Sequence, residues 1–324
     1  MSRESTAPAV FSDFRPEHAA LWGRQPIRIH HRLHRHELLA DDALAALIEG
    51  YPRANYDLLE MAPQGTGHLA LWREGELGGA SGVDVLSAIG RGRLWLNLRR
   101  VHEADARYAA LLDGIFAELH QRIPGFSTFK HNLGILISSP GAQVYYHADL
   151  PGQSLWQVRG EKRVYLYPNS APFLPEDQVE GIVLNLTEAE IDYQPWFEEH
   201  ARVFHLRPGE MLHWPLNAPH RVENLDCLNI SITTEHWTSD IRALYAARYA
   251  NGLLRRGLGL RQGLGLGRTA PPATSGARFW MKAGLAAAVK GSGLLRGKVH
   301  RKRIEWRLDP SQPSGVGEIE PFLL

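Results

Sequence analysis

Two residues near the middle of the chain have the types and spacing of metal ligands. His147 and Asp149 lie two apart in a strand-like run, and residues i and i+2 of a strand point to the same side. A second imidazole, His220, follows a proline between two later strand-like runs. Two imidazoles and one carboxylate leave coordination positions open and suit Fe(II), Mn(II) or Zn(II). The sequence therefore predicts that His147, Asp149 and His220 hold one catalytic metal ion.

A lysine downstream of these residues indicates what binds beside the metal. The run EKRVYLY alternates, so that Lys162, Val164 and Leu166 share one apolar face. A cation on an inward face is costly unless it meets an anion. A solvated or snorkelling side chain is the alternative for a lysine in a strand. The metal pair upstream favours an anchor for an acidic co-substrate.

These segments resemble the cupin-like JmjC hydroxylases, a group that includes asparaginyl hydroxylases, over roughly residues 125 to 240. The resemblance implies a double-stranded β-helix with Fe(II), 2-oxoglutarate and O2 as cofactors, and hydroxylation or oxidative demethylation as the reaction. The matching residues are the run Gln157-Val158-Arg159-Gly160-Glu161-Lys162-Arg163 and the pairs Gly209-Glu210, Trp214-Pro215 and Pro219-His220.

The resemblance also implies roles for single residues. His220 has the family position of the distal ligand, which favours it over His205 and His213, two strand histidines expected to be packed and hydrogen-bonded. Lys162 would pair with the far carboxylate of 2-oxoglutarate.

Two positions depart from the family pattern. Val144 stands where the family often has a threonine that touches 2-oxoglutarate, and Gln153 stands where it often has asparagine. Tyr145, Tyr146 or His213 could supply the lost hydroxyl donor, and we include Tyr145 and Gln153 among the predicted cofactor-binding residues. The metal prediction is unaffected, whereas the co-substrate prediction is weakened and the substrate stays open.

The composition is that of an ordinary globular protein. The chain has 324 residues, of which 44% are hydrophobic and 22% charged. A single cysteine, Cys227, excludes an internal disulfide framework and favours a reducing compartment. No apolar run is long enough for a transmembrane helix, and the first residues lack a signal-peptide pattern. We expect a cytoplasmic protein.

The charge is distributed unevenly along the chain. The formal net charge is +1, yet residues 251–303 contain twelve Lys or Arg and no Asp or Glu. An acidic partner, such as anionic lipid, nucleic acid or protein, is one interpretation of this basic arm, but we favour one of the alternatives that follow. A helix docked on the body of the protein and a homodimer contact are the plain alternatives.

The pattern of apolar residues divides the chain into three regions. Residues 1–124 read as an α/β region packed on a barrel, 125–240 as the JmjC/cupin-like barrel, and 241–324 as a helical, Gly-rich, basic extension with a linker over 257–277. The predicted fold is therefore mainly β with flanking helices and a jelly-roll core. Predicted helices cover 37–49, 83–89, 103–122, 240–257 and 278–290, and predicted strands cover 26–33, 57–61, 93–97 and the runs LGILIS, AQVYYH, SLWQV, KRVYLY, IVLNL, RVFHL, EMLHW, RVENL and LNISITTEHW.

Two further features have open interpretations. The histidines His30, His31, His34 and His36 form either a solvated strand end, which we favour, or a second metal site. The run from Asp192 to Phe197 lies between the two ligand segments, where it either shapes substrate choice or covers the barrel rim.

Taken together, the sequence predicts an oxygenase that hydroxylates a C–H bond of a protein or peptide side chain, or of a small molecule. One alternative is a metal-binding cupin without oxygenase activity, either an isomerase or lyase or a regulatory module. Another is a scaffold protein whose basic arm makes the contacts.

Overall fold

A computed structural model of the chain describes residues 9–61, 72–185, 191–257, 271–292 and 302–324. Within these ranges the α-helices are α1 (Pro16–Leu21), α2 (Asp41–Ile48), α3 (Gly82–Arg91), α4 (Val101–Ala104), α5 (Ala106–Arg122), α6 (Glu176–Val183), α7 (Ser239–Gly257) and α8 (Gly276–Ser292). The strands are β1 (Ile27–His30), β2 (Tyr56–Glu60), β3 (Arg73–Glu76), β4 (Leu94–Leu98), β5 (Phe129–Ser138), β6 (Gln143–His147), β7 (Gly152–Arg159), β8 (Lys162–Leu166), β9 (Arg202–Leu206), β10 (Glu210–His213), β11 (His220–Asn224), β12 (Asn229–Trp237), β13 (Arg303–Leu308) and β14 (Val316–Leu323). Short 3-10 helices cover Leu33–Arg35, Glu37–Leu39, Arg53–Asn55 and Pro195–His200.

The strands form two sheets. The large sheet has ten strands in the order β1-β10-β7-β12-β5-β4-β2-β3-β13-β14, and the small sheet has four in the order β6-β11-β8-β9. Neighbouring strands are antiparallel except β3 and β13, which are parallel. From β5 to β12, consecutive strands alternate between the two sheets except at β8 and β9, which pair within the small sheet. This is the arrangement of a jelly roll. The prediction of a mainly β fold with a jelly-roll core is confirmed.

Alternating side chains give the two sheets a shared interior. Leu155 and Leu212 of the large sheet pack against Val164, Leu166 and Leu206 of the small sheet. The opposite face of the large sheet packs against α2, α3 and α5 in the largest core cluster. The opposite face of the small sheet is covered by α6, α7 and the 3-10 helix at 195–200. The inner positions of the strands therefore face an enclosed space between the sheets.

The turn between β7 and β8 delivers Lys162 to that space. Gly160 has φ +70, and a Cβ atom there would lie 2.3 Å from the carbonyl oxygen of Leu228, so only glycine fits. Gln157 donates from its amide nitrogen to the Gly160 carbonyl at 2.9 Å and to Asn229 Oδ1 at 2.7 Å. The spacing of the Gln157-to-Lys162 motif thus reflects the geometry of one tight turn.

Most predicted elements are present, and one prediction is wrong. The run IVLNL was predicted as a strand, but its first two residues, Ile182 and Val183, end helix α6. Val179, Ile182 and Val183 are buried with the i, i+3, i+4 spacing of a helix face, whereas the short apolar run by itself fits a strand equally well.

The C-terminal region contains more than the predicted helices. Besides α7 and α8, its strands β13 and β14 form a hairpin whose first strand pairs with β3 of the N-terminal region. This hairpin was not predicted. Its pairing with β3 joins residues far apart in the chain, such as Ile304 and Glu74, and such pairing leaves no local sequence signal. Most of the predicted linker, residues 258–270, lies outside the described residues. No helix in the described ranges is both long enough and apolar enough to cross a membrane.

Candidate metal centre

The fold brings the three predicted ligands together. His147 is the last residue of β6, and His220 is the first residue of β11 and stands opposite it in the antiparallel register. Asp149 follows two residues after the end of β6 rather than within the strand, so the loop, not a shared strand face, turns its carboxylate back. One ligand atom from each residue lies within 4.8 Å of the others. The only group of three such residues in the described ranges is this one.

Both imidazoles are oriented with one nitrogen toward the centre of this group. His147 Nδ1 is 2.7 Å from the Tyr145 carbonyl oxygen, and His220 Nδ1 is 3.1 Å from that of Ala218. A carbonyl accepts only, so each Nδ1 carries the proton and each Nε2 keeps its lone pair. Burial and the neighbouring His147 hold the pKa of His220 well below its ordinary value. His220 is therefore neutral, as a metal ligand must be.

One carboxylate oxygen of Asp149 lacks a hydrogen-bond donor among the residues that the structure describes. Its Oδ2 is buried and makes no hydrogen bond with any described residue, although it lies 3.4 Å from His220 Nε2. Burial raises the pKa of Asp149, because the charged form loses its hydration. A buried acceptor beside two nitrogen lone pairs is unfavourable by itself and becomes favourable around a cation. The three residues thus fit a divalent metal ion by their donor atoms and by their unmet hydrogen-bonding capacity.

Lys162 lies on the inner face of the barrel without an anion. Its side chain is 3% exposed and forms no ion pair with a carboxylate in the described part of the chain. Burial lowers the pKa of Lys162 to about 7. Lys162 borders an enclosed cavity of about 30 Å³, whose other lining residues are Met61, Trp95, Leu136, Ser138, Ala142, Gln143, Val144, Leu155, Val222 and Asn224.

Two polar residues beside Lys162 were missed by the sequence analysis. Asn224 stands opposite Lys162 in the β8–β11 pair and donates to Ser138 Oγ at 2.8 Å and to the Ser139 carbonyl at 2.9 Å. Ser138 Oγ is therefore an acceptor toward Asn224, and its own hydroxyl hydrogen is left to donate elsewhere. The signal was present: strand parity puts Ser138 on the same face of β5 as Leu136, and Asn224 on the same face of β11 as His220 and Val222.

The predicted substitutes for the lost threonine hydroxyl have different surroundings. A register shift in β6 places Val144 opposite Val222, so Val144 shares the inner face with His147. Tyr146 donates its hydroxyl to the Phe173 carbonyl at 2.8 Å, on the outer side of the small sheet. His213 stacks on Trp22 with ring centroids 3.9 Å apart, on the outer face of the large sheet. Tyr146 and His213 therefore do not replace the hydroxyl.

The other predicted residues are spread around the barrel. The ring of Tyr145 packs against Trp72 at a centroid distance of 5.5 Å. Gln153 keeps a buried Oε1 that has no hydrogen-bond partner among the residues the structure describes. His205 pairs with Glu161 at 2.6 Å and lies away from the metal ligands. Each of these positions follows from strand parity and register.

A further carboxylate was not singled out from the sequence. Glu235 of β12 stands opposite Asn132 and Gln153 on the inner face of the large sheet. Burial raises the pKa of Glu235, and the nearby charge of Asp149 raises it further. Asn132 donates to Glu235 at 3.0 Å. The metal end of the barrel is therefore rich in hydrogen-bond acceptors.

The structure shows what surrounds the two features whose interpretation the sequence left open, the N-terminal histidines and the segment 192–197. His31 is buried and its ring lies edge-on to Trp156 at 5.4 Å, so the prediction of a solvated strand end is wrong for His31. The reason is that β1 pairs with β10 and carries His31 beneath the 3-10 turn. Phe197 is buried against Phe173 at a centroid distance of 4.7 Å, whereas Trp196 stays exposed.

The part of the chain that forms the barrel matches a known protein family. Residues 102–239 match the family model described as the cupin-like domain. These residues are a cupin-like domain. The cupin-like domain spans all the barrel strands from β5 to β12 and contains His147, Asp149, Lys162 and His220. The resemblance to cupin-like, JmjC-type proteins predicted from the motifs is confirmed.

Comparisons of the whole chain give weaker similarities. An X-ray structure of Escherichia coli YcfD has 18% sequence identity and a TM-score of 0.49, covering 90% of this chain and 70% of that chain. A structure of YcfD described as a ribosomal oxygenase in complex with cobalt and 2-oxoglutarate has 18% identity and a TM-score of 0.47, covering 84% and 65%. The DMSP lyase DddQ from Ruegeria pomeroyi has 11% identity and a TM-score of 0.22, covering 34% and 40%. No curated protein sequence matches the chain.

Proposed function

We propose that this protein is an Fe(II)- and 2-oxoglutarate-dependent oxygenase that hydroxylates a C–H bond. His147, Asp149 and His220 would hold the iron, and Lys162 would pair with the distal carboxylate of 2-oxoglutarate. One observation carries the proposal: an open two-histidine, one-carboxylate group faces the same interior as a buried lysine that has no carboxylate partner among the described residues. When bound, the iron, 2-oxoglutarate and O2 supply the oxidising chemistry.

The chain's own residues would bind the metal and the co-substrate, orient them and exclude water. Each histidine is fixed by its Nδ1 hydrogen bond to a carbonyl, so its Nε2 direction is set before the metal binds. The two packed sheets enclose Lys162, which strengthens its attraction to a carboxylate. Ser138 lies beside Lys162 with its hydroxyl hydrogen unassigned, and it would supply the donor that Val144 lacks.

The proposed co-substrate requires a change of shape. A cavity of about 30 Å³ accommodates at most a few water molecules, whereas 2-oxoglutarate has ten non-hydrogen atoms. Its binding would therefore widen the space beside Lys162, for example by rotation of the flexible Met61 side chain. This requirement and the loss of a hydroxyl at Val144 favour, as a second candidate, a metal-binding cupin without oxygenase activity.

An anaerobic titration separates the two candidates. Fe(II) followed by 2-oxoglutarate is expected to give a visible charge-transfer band, and subsequent exposure to air is expected to release succinate. His147→Ala should lose both metal and band, whereas Lys162→Met should keep the metal and lose the band at moderate 2-oxoglutarate concentration. A wild-type protein that binds Fe(II) but gives no band with 2-oxoglutarate would favour the second candidate. A protein that binds neither would contradict both and leave the scaffold alternative.

The substrate and the partners remain proposals. The substrate would be a protein or peptide side chain or a small molecule, and we retain a cytoplasmic location. The basic arm would meet an acidic partner or a second copy of the chain through α8, where Trp280 and Met281 are 70% and 69% exposed. Sedimentation of the full chain at two salt concentrations tests the homodimer, because a dimer contact made by this apolar face is insensitive to salt.

A further inference from the structure

The loop that carries Asp149 is held by a side chain from another segment. Asn217 lies in the turn just before β11, and its amide nitrogen donates to the Asp149 carbonyl and, at 3.4 Å, to the Leu150 carbonyl. Asn217 is buried and has φ +58, a conformation that asparagine adopts more readily than most residues. The turn that leads to His220 therefore also holds the backbone of the carboxylate ligand.

Asn217 is in turn held by a buried guanidinium. Arg248 of α7 donates Nη1 to Asn217 Oδ1 at 2.6 Å. Its Nε and Nη2 donate to the two carboxylate oxygens of Glu176, the first residue of α6, at 2.9 and 2.7 Å. An arginine stays charged and presents its donors in a rigid plane. Because Arg248 occupies Oδ1, the amide nitrogen of Asn217 must face the Asp149 loop.

This network reaches the candidate metal centre from outside the matched family segment. The cupin-like domain ends at residue 239, and α7 begins there and continues to Gly257. Arg248 lies in the interior of α7, where it is almost fully buried. A chain of hydrogen bonds through Glu176, Arg248 and Asn217 thus couples the docking of α7 on α6 to the position of Asp149, a proposed metal ligand.

We propose that Glu176, Arg248 and Asn217 are positioning residues that preorganise the Asp149 loop and so set the metal affinity of the protein. This inference rests on the proposed metal site. Residues that orient metal ligands typically contribute 10- to 100-fold to metal affinity. Without Arg248 the Asn217 amide can rotate, and its oxygen then faces the Asp149 carbonyl with no donor between them.

The chain contains a matched control for this network. Arg255 of α7 donates to Glu180 of α6 at 2.8 Å, seven and four residues further along the same two helices. Both side chains are buried, as are Arg248 and Glu176. No hydrogen bond joins this second pair to the Asp149 loop in the described part of the chain. The two ion pairs therefore share burial and helix–helix context and differ in their connection to the metal centre.

The test replaces each ion pair as a unit, so that no buried charge is left alone. Exchange of a whole buried pair for apolar residues is often close to neutral for stability. Co(II) affinity and the Co(II) visible spectrum are measured for the wild type, for Arg248→Met with Glu176→Leu, and for Arg255→Met with Glu180→Leu. We expect the first double variant to bind Co(II) 10- to 100-fold more weakly with an altered spectrum, and the second to stay within about twofold of the wild type.

Three outcomes decide the proposal. Equal Co(II) affinities for the two double variants overturn the positioning role while leaving the metal site intact. Absence of Co(II) binding by the wild type overturns the proposed function and this inference with it. Asn217→Gly keeps the backbone conformation and removes only the amide, so it serves if the first double variant does not fold, and an unchanged affinity in Asn217→Gly also overturns the positioning role.

Discussion

Two groups of histidines lie in different parts of the barrel and differ in what surrounds them: an inner pair on the small sheet, and an outer cluster on the large sheet and helix α5. The inner pair, His147 and His220, lies beside Asp149, and one ligand atom from each of the three residues lies within 4.8 Å of the others. The outer histidine cluster, His120, His131, His213 and His236, packs against aromatic rings. His131 stacks on Phe116 at 3.7 Å, and His213 stacks on Trp22 at 3.9 Å.

The difference shows that histidine content alone does not make a metal site. Burial lowers the pKa of His213 to about 3 and that of His236 to about 4, so both are neutral, as metal ligands are. Among the residues that the structure describes, only the inner group combines two imidazoles with a carboxylate whose ligand atoms all lie within 4.8 Å of one another. The imidazoles of the outer cluster instead pack against neighbouring aromatic rings.

The largest expected effect on metal affinity comes from removing a ligand of the inner group. His147→Ala removes one of three ligands, and we expect metal affinity to fall more than about 100-fold, beyond the loss seen for orienting residues. Isothermal titration with Co(II) measures it. Wild-type affinity in His147→Ala would show that the three residues do not share an ion.

The matching change in the outer cluster is expected to act on stability alone. His213→Ala leaves a cavity beneath Trp22, and we expect the free energy of unfolding to fall by about 2–3 kcal/mol. Urea denaturation gives the stability, and Co(II) titration in the same buffer serves as the control. A tenfold loss of metal affinity in this variant would remove the distinction between the two faces.

The pH dependence of stability tests the interior of the barrel. The pKa of Lys162 is lowered by burial to about 7 in the folded chain and stays near its ordinary value of 10.5 in the unfolded chain. Between these values the unfolded chain binds more protons, so the stability contribution of Lys162 rises with pH by at most about 1.4 kcal/mol per unit. Below pH 7 the cost of burying the charged ammonium is fully present.

Lys162→Met removes that titration. The variant is expected to be more stable than the wild type at pH 7 and to show a flatter profile between pH 7 and pH 10, measured by urea denaturation at each pH without metal. Parallel pH profiles for wild type and variant would mean that Lys162 is solvated rather than buried.

The smallest expected effect concerns the second donor beside Lys162. Ser138→Ala removes one hydroxyl, and we expect 2-oxoglutarate affinity to fall about fivefold, which corresponds to about 1 kcal/mol for a hydrogen bond. Val144→Thr should raise that affinity by a similar factor. Competition titrations with 2-oxoglutarate in the presence of Co(II) measure both, and an unchanged affinity in Ser138→Ala would assign the donor to another residue such as Tyr145.

Local sequence was sufficient for the features that depend on a few consecutive residues. The alternation of Lys162, Val164 and Leu166 follows from the two-residue period of a strand, and the structure has all three buried. The tight turn at Gly160 follows from a backbone that only glycine adopts there. Where two local patterns fit equally well, as in the run IVLNL, the sequence alone did not decide, and helix packing on α7 did.

The sequence by itself determined the chemical types at the candidate site and the strand parity that points Lys162 inward, because side-chain chemistry and strand period are local properties. Only the tertiary structure decided that His220 stands opposite His147, that Ser138 and Asn224 border Lys162, and that Arg248 reaches Asn217 and the Asp149 loop. These relations depend on strand register and helix docking between segments far apart in the chain. Their free energy comes from packing over the whole core, which no short stretch of sequence records.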